Sequence, residues 1–178
     1  MCSSYLNWPK ALLILLVAAT ACSAPQREWL RVEAVDAGGY TMSAPLSGET
    51  QKGRLVLGAD TFATHINILA DSGVTYVASW FDVPAAWSGL SEQALLDTLW
   101  PQVVRHTGAV RLDEPGPWEA GGTVRDGWFL DDGIRLGLVA HVIGSHFVLM
   151  DAATPDALKK DRHMANMTRF LRSFEPTK

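Results

Sequence analysis

Alternating hydrophobic and polar positions predict strands in the first half of the chain. Residues 40–44 and 54–57 are two short stretches of this kind, bounded by glycine, proline and polar residues. Residues 62–70 and 74–82 are longer, and they flank Asp71-Ser72-Gly73. A glycine-containing triplet between two such stretches predicts a β-hairpin with a three-residue loop.

The loop length sets the expected register of this hairpin. With Ala70 opposite Val74, one face is apolar and the other is mixed. The mixed face carries Asn67 and places Ser79 opposite His65, which resembles a nucleophile with its base. No Gly-x-Ser-x-Gly turn exposes the serine, and no acid is placed to orient the histidine. We therefore expect ordinary polarity of a sheet surface here, with a hydrolase as a minor alternative.

The second half of the chain predicts a three-stranded meander. Residues 123–130, 134–143 and 146–151 are three strand-like stretches joined by Asp131-Asp132-Gly133 and Gly144-Ser145, both favourable turn sequences. Both faces of this meander are mostly apolar. We therefore expect other elements to cover each face, at least in part.

Helical periodicity appears in two stretches. Residues 92–106 follow Ser91, a favourable N-cap, and precede Gly108, while Pro101 predicts a kink or two short helices. A last helix is predicted from Thr154 and Pro155 to about Ser173. Its core side is expected to carry Met164, Met167, Leu171 and Phe174.

The N-terminus shows a different hydrophobic pattern, a lone Lys10 followed by a short apolar run that ends at Ala19-Thr20-Ala21-Cys22. The run is shorter than the roughly 20 residues that cross a bilayer. It is typical of a bacterial secretion signal, and its end resembles a lipoprotein box, with alanine at position 19 where leucine is usual. The resemblance implies cleavage before Cys22, acylation of its thiol and, from Ser23, sorting to the outer membrane.

Two alternatives to lipidation stay open. Ala-x-Ala also suits ordinary signal peptidase, which would release a soluble periplasmic protein, and the signal could remain uncut. In either cleaved case, residues 1–21 are a signal peptide, 22–28 a polar tether and 29–175 a single domain. The mature chain would have 157 residues, enough to bury a real core, and a net charge of −5.

Composition narrows the function classes further. Cys2 leaves with the signal and Cys22 would be acylated, so the mature chain has no disulfide and no cysteine-based metal site. An acidic domain gives no electrostatic reason to bind nucleic acid. We expect no cofactor, because the chain has no phosphate loop, dinucleotide fingerprint or zinc protease motif.

The remaining chemistry rests on small clusters. His141 and His146 share one face of the predicted meander, with His141 opposite Val148, at a diagonal spacing of about 7–8 Å that suits two ligands of one transition metal. A third ligand would be required. Buried, hydrogen-bonded histidines are the simpler interpretation, and a metal or small-molecule site is the alternative.

Three further groups admit a structural and a functional interpretation. Asp126, Asp131 and Asp132 could hold Ca²⁺, although turn chemistry accounts for the last two. Trp87 and Trp118 lie in loops rich in glycine and proline, where they either plug the core or contact a partner. The last helix carries a basic stripe that is either solvated or faces anionic lipid. The stripe comprises Lys159, Lys160, Arg162, Arg169 and Arg172.

Three local sequences resemble the PsbP-like fold, which is also that of Ran-binding Mog-type proteins. They are residues 38–45 (GGYTMSAP), Pro115-Gly116-Pro117-Trp118-Glu119 and the closing residues 170–174 (FLRSF). The resemblance spans roughly residues 29–175. It implies an α+β fold, a largely antiparallel sheet between helical layers in an α/β/α sandwich. It also implies an accessory or binding role, and it transfers no catalytic residue.

The sequence thus predicts a non-enzymatic accessory or binding protein held by lipid at the periplasmic face of the outer membrane. We expect its partners to be the membrane, through Cys22, and an unidentified protein of the cell envelope.

Overall fold

The computed structural model describes residues 29–34, 40–45, 50–71, 73–118, 124–158 and 161–176, which form ten strands and two α-helices. The strands are β1 (Leu30–Ala34), β2 (Tyr40–Ala44), β3 (Thr50–Leu57), β4 (Asp60–Asp71), β5 (Val74–Asp82), β6 (Val110–Arg111), β7 (Val124–Asp131), β8 (Ile134–Ile143), β9 (His146–Pro155) and β10 (Glu175–Pro176). The helices are α1 (Glu92–Thr107) and α2 (Asp161–Leu171), and short 3₁₀ turns cover Ala85–Trp87 and Asp156–Leu158. The signal, Cys22 and the tether lie outside the described residues.

In the described part of the chain, the strands form two antiparallel sheets. The main sheet has the order β3-β4-β5-β9-β8-β7-β6, and the small sheet has the order β1-β2-β10. The small sheet therefore joins strands from both ends of the domain. The predicted α+β class, built on a largely antiparallel sheet, is confirmed.

Each face of the main sheet is covered by a different layer. On one face, Leu96 and Leu99 of α1 form a buried cluster with aromatic residues of the sheet, Phe129 and Phe147 among them. On the other face, α2 and the small sheet pack together, and Phe170 lies 5.2 Å from Tyr76 between ring centroids. The expectation that both apolar faces are covered is confirmed.

Helix α1 begins and ends where the sequence predicts. The hydroxyl of Ser91 accepts a hydrogen bond of 3.2 Å from the Ala94 N–H, and Gly108 adopts a left-handed φ of 67° at the C-terminal end. Pro101 lies inside one continuous helix, so of the two predicted alternatives, a kink or two short helices, the second is wrong. Burial of Trp100 and Val103 on either side of the proline holds the helix together despite the missing N–H donor.

The register of the first hairpin differs from the prediction by one residue. Asp71, and not Ala70, lies opposite Val74, so the loop contains two residues instead of three. Because side chains alternate between faces, a shift of one residue exchanges the faces of one strand relative to the other. The preceding strand, β3, also starts at Thr50, earlier than expected.

The register between β8 and β9 agrees with the prediction, whereas the expected three-residue connection before β8 is a two-residue turn. Ile143 lies opposite His146, which leaves Gly144-Ser145 as a two-residue turn. The turn between β7 and β8 consists of Asp132 and Gly133, with φ values of 46° and 76°. Positive φ at both central residues is the conformation that Asp-Gly favours in a tight hairpin.

The last strand extends beyond its predicted end. Strand β9 continues to Pro155, and Thr154 lies opposite Arg135 on β8, so the predicted start of the last helix at Thr154 is wrong. The Thr154 hydroxyl also donates a hydrogen bond of 2.9 Å to the Gly73 carbonyl oxygen. Pairing with β8 and the hydrogen bond to the turn before β5 therefore outweigh the local helix-start signal. Of the predicted core side chains, Met167, Leu171 and Phe174 are buried and Met164 is half-buried.

Candidate functional site

The structure separates His65 from Ser79. In the observed register, His65 lies opposite Trp80 and stacks on it, with 5.2 Å between the ring centroids. Ser79 projects from the other face of the sheet, where its hydroxyl donates a long hydrogen bond of 3.4 Å to the Leu149 carbonyl oxygen. The predicted pairing of these two residues is therefore wrong, and with it the arrangement that a serine hydrolase would need. Asn67 shares the His65 face and is buried.

The two histidines of the meander share a face, as predicted, but lie in different surroundings. His141 is 5% exposed, its ring stacks on Phe174 at 4.0 Å, and the edge of Trp118 lies 4.9 Å away. His146 is more accessible, and its Nδ1 lies 2.8 Å from a carboxylate oxygen of Asp82. The two imidazoles therefore have separate partners.

Burial lowers the pKa of His141 to about 4, so this imidazole is neutral at physiological pH. Its Nε2 atom has no hydrogen-bond partner among the described residues. A neutral imidazole nitrogen is a metal ligand, but within those residues no three His, Cys, Asp or Glu side chains are arranged to hold a metal ion. In the described part of the chain, His141 belongs to an aromatic cluster without a ligand set around it.

The aspartates of the second half have structural partners. A carboxylate oxygen of Asp126 accepts a hydrogen bond of 2.8 Å from the Trp118 N–H and lies close beside Gly116, where a Cβ would collide with it. Asp132 occupies the positive-φ position of its turn. Asp126 thus fixes the connection before β7, and Asp132 shapes the turn after it.

The basic stripe of the last helix is partly engaged in contacts. The Arg169 guanidinium lies 4.5 Å above the ring of Trp29, and Arg172 donates a hydrogen bond to the Pro117 carbonyl oxygen. Arg162 is exposed, whereas Lys159 and Lys160 lie outside the described residues.

The two loop tryptophans are both half-buried. Trp87 packs against Phe62, with 5.9 Å between ring centroids, and Trp118 packs against His141. Each ring therefore covers part of the hydrophobic core and retains some exposed surface.

An acidic residue that the sequence did not single out lies in the middle of β9. Asp151 is placed between Val77 of β5 and Leu138 of β8, on the face that α1 covers, and burial raises its pKa to about 7. The sequence prediction ended this strand at residue 151, so the acid was expected at a strand end. The sequence signal for this position was a single acidic residue inside an otherwise apolar stretch.

A second missed feature is the free edge of the main sheet. Strand β3 pairs with β4 and, within the described residues, with no other strand. Along its eight residues the outer side of β3 has no strand partner in the described part of the chain, and Lys52 and Arg54 are exposed there. Charged side chains on an edge strand are a usual protection against unwanted pairing. The alternation Lys-Gly-Arg-Leu-Val-Leu was the sequence signal for it.

A depression of about 190 Å³ opens at the end of this edge. It is bounded by Val56 and Gly58 on the strand side and by Gln102, Arg105 and His106 of α1. The free edge of β3 and this depression form one continuous feature, which we call the β3 edge surface. We take it as the candidate interface, because it combines unpaired backbone, positive charge and a concavity.

No model of a known protein family matches the chain, and no curated protein matches it either. Among the described residues, no helix is both long and apolar enough to cross a membrane.

Proposed function

We propose that this protein is a lipid-anchored, non-catalytic binding module of the bacterial cell envelope, which contributes to a protein assembly. The anchor is the acylated Cys22, and the domain that begins at Trp29 carries the binding surface. We also propose that its fold is of the PsbP-like type. The order of hairpin, helix, meander and C-terminal helix supports that relationship.

The observation that carries the binding role is the β3 edge surface. Its eight-residue strand ends beside a concavity, and its exposed cations, which discourage indiscriminate pairing, leave a strand of opposite charge as a compatible partner. The side chains considered for catalysis have other surroundings. Ser79 and His65 lie on opposite faces of the sheet, and His141 is enclosed by aromatic rings.

The anchor is tested by the mass of the mature N-terminus in protein extracted from membranes. We expect a first residue at Cys22 that carries acyl chains, and we expect Cys22→Ser to move the protein from the membrane to the soluble fraction. An unmodified Cys22 at the N-terminus would instead show release by ordinary signal peptidase, and an intact, unmodified chain recovered from the cytosol would overturn the assigned compartment.

The absence of catalysis is tested separately on generic ester substrates. We expect no turnover above background for the wild type or for Ser79→Ala. Hydrolysis that Ser79→Ala abolishes would overturn the proposal. Metal that survives dialysis and is lost in His141→Ala would favour a metal-binding role for the His141/His146 face.

A further inference from the structure

We propose that the β3 edge surface docks an extended, acidic segment of a partner protein, which adds to the main sheet as a further strand beside β3. This assignment rests on the proposed binding role and names the chemistry of the partner. Three features support it: the unpaired backbone, the sign of the local charge and the concavity at the end of the strand.

The unpaired backbone provides the hydrogen bonds. In an edge strand, the N–H and C=O groups that point away from the neighbour are free to pair with an incoming chain. Strand β3 offers this pattern over eight residues, from Thr50 to Leu57. That length matches a typical strand of globular proteins, so a short linear segment is sufficient as the ligand.

The local charge selects an acidic segment. Lys52 and Arg54 are both exposed on one face of β3, whereas the whole chain has a net charge of −4. Asp60, the exposed acid opposite Leu57, lies on β4 and is therefore one strand farther from the incoming chain. An added strand places its side chains beside Lys52 and Arg54 at cross-strand distance, where opposite charges attract.

The same charges disfavour a second copy of this chain as the occupant. Two β3 strands paired about a two-fold axis would bring Lys52 and Arg54 of one protomer beside those of the other, on the same face of the joined sheet. Like charges directly opposite one another destabilise a strand pair.

The depression at the end of β3 offers further contacts to the incoming segment. Arg105 and His106 lie in the last turn of α1, and with Gln102 they face Val56 and Gly58 across the concavity. A carboxylate at the end of the incoming segment would find the Arg105 guanidinium there. Val56, which is 47% exposed, provides an apolar contact beside them.

The test uses a fluorescently labelled peptide of eight residues with alternating glutamate and valine, added to the full chain in zwitterionic detergent. We expect a rise in fluorescence anisotropy and slower hydrogen exchange of the β3 amides. The double variant Lys52→Glu with Arg54→Glu is expected to weaken binding by about tenfold or more. The matched control Arg162→Glu, an exposed arginine on α2, is expected to leave binding unchanged.

Two control peptides separate strand addition from simple charge attraction. Replacing glutamate by lysine removes the charge complementarity, and methylating alternate backbone amides removes the hydrogen-bond donors. We expect both changes to abolish binding. Equal binding of either control peptide, or slowed exchange confined to residues outside β3 and the depression, would overturn the proposal.

A second copy as the occupant gives a different result. Protection of the β3 amides that increases with protein concentration, in the absence of peptide, would show self-association through this edge and would overturn the acidic partner. The peptide test is independent of the anchor. If the chain is released without lipid and still binds the acidic peptide, the proposed anchor is wrong. The proposed docking surface then still holds.

Discussion

At the scale of single residues, His141 shows how burial determines chemistry. Its ring is held between Phe174 and Trp118, and burial lowers its pKa to about 4 from an ordinary value near 6.5. Between these two values the unfolded chain binds a proton that the folded protein does not. Acidification through this range therefore favours unfolding, and the stability that the neutral imidazole contributes is lost as the pH falls.

We predict that His141→Phe removes this dependence. The phenyl ring retains the aromatic contacts and has no nitrogen to protonate. The variant's free energy of unfolding minus that of the wild type should therefore be about 3 kcal/mol larger at pH 4 than at pH 7.5. Urea unfolding followed by tryptophan fluorescence measures the difference. His106→Gln, at an exposed position of α1, is the control that should keep the wild-type profile. A His141→Phe variant with the same acid sensitivity as the wild type would contradict the prediction.

At the scale of elements, the second half of the chain was more predictable than the first. Gly144-Ser145 permits one tight turn, so the register of β8 with β9 followed from the sequence, whereas Asp131 of the expected triplet Asp131-Asp132-Gly133 belongs to β7. In the first hairpin, Asp71-Ser72-Gly73 is compatible with a loop of two or three residues. Both faces of β4 and β5 carry buried side chains, so the apolar pattern could not choose between these loop lengths. The error moved Ser79 to the wrong face and produced a false candidate site.

The contact between α2 and β8 depends on a residue without a side chain. A Cβ at Gly137 would lie 2.5 Å from a ring carbon of Trp128 and 2.7 Å from a methyl carbon of Leu171. Both neighbours are buried, so neither can move aside without repacking the cluster. The glycine therefore allows the helix to approach the sheet closely.

We predict that Gly137→Ala destabilises the protein by about 1–3 kcal/mol, because the added methyl overpacks this contact. Gly89→Ala is the matched control, since nothing lies within 4 Å of a Cβ at that position. Thermal unfolding of the two variants measures the difference. Equal melting temperatures for Gly137→Ala and the wild type would show that α2 shifts without cost.

At the scale of the whole molecule, His141 and the half-buried Asp151 act in opposite directions on acid stability. Burial raises the pKa of Asp151 to about 7, so the folded protein holds a proton there that the unfolded chain has lost. Between pH 4 and 7, this acid lowers the stability as the pH rises, while His141 raises it. We therefore expect the two contributions to oppose one another from about pH 4 to 6.5.

We predict that Asp151→Asn raises the free energy of unfolding by about 1–3 kcal/mol at pH 8 and has little effect at pH 4, where the wild-type carboxyl is already protonated. The difference between variant and wild type across a pH series of urea unfolding isolates this group from the other carboxylates. A constant difference at every pH would mean that Asp151 contributes through packing and not through its charge.

The small sheet marks the limit of what local sequence patterns encode. Strand β2 was predicted, but its partners β1 and β10 were not. The alternation Leu-Arg-Val-Glu-Ala of β1 was a local signal that the sequence analysis missed, whereas β10 has only two residues and joins β2 from the far end of the domain. The covering of both faces of the main sheet was predictable from the apolar residues on both faces of the meander. Which elements cover one of these faces depends on the meeting of the N-terminal and C-terminal parts of the domain in the small sheet. No short-range sequence pattern specifies this meeting.

This meeting of chain ends determines how the domain would respond to a pulling force. Tension applied from the N-terminal side reaches Trp29, held between Tyr76 and Arg169, and then β1, which pairs with β2 over five residues. The extensive pairing of the main sheet lies beyond that junction. A stretched molecule would therefore yield first at β1, gaining length there while the rest of the fold remains intact.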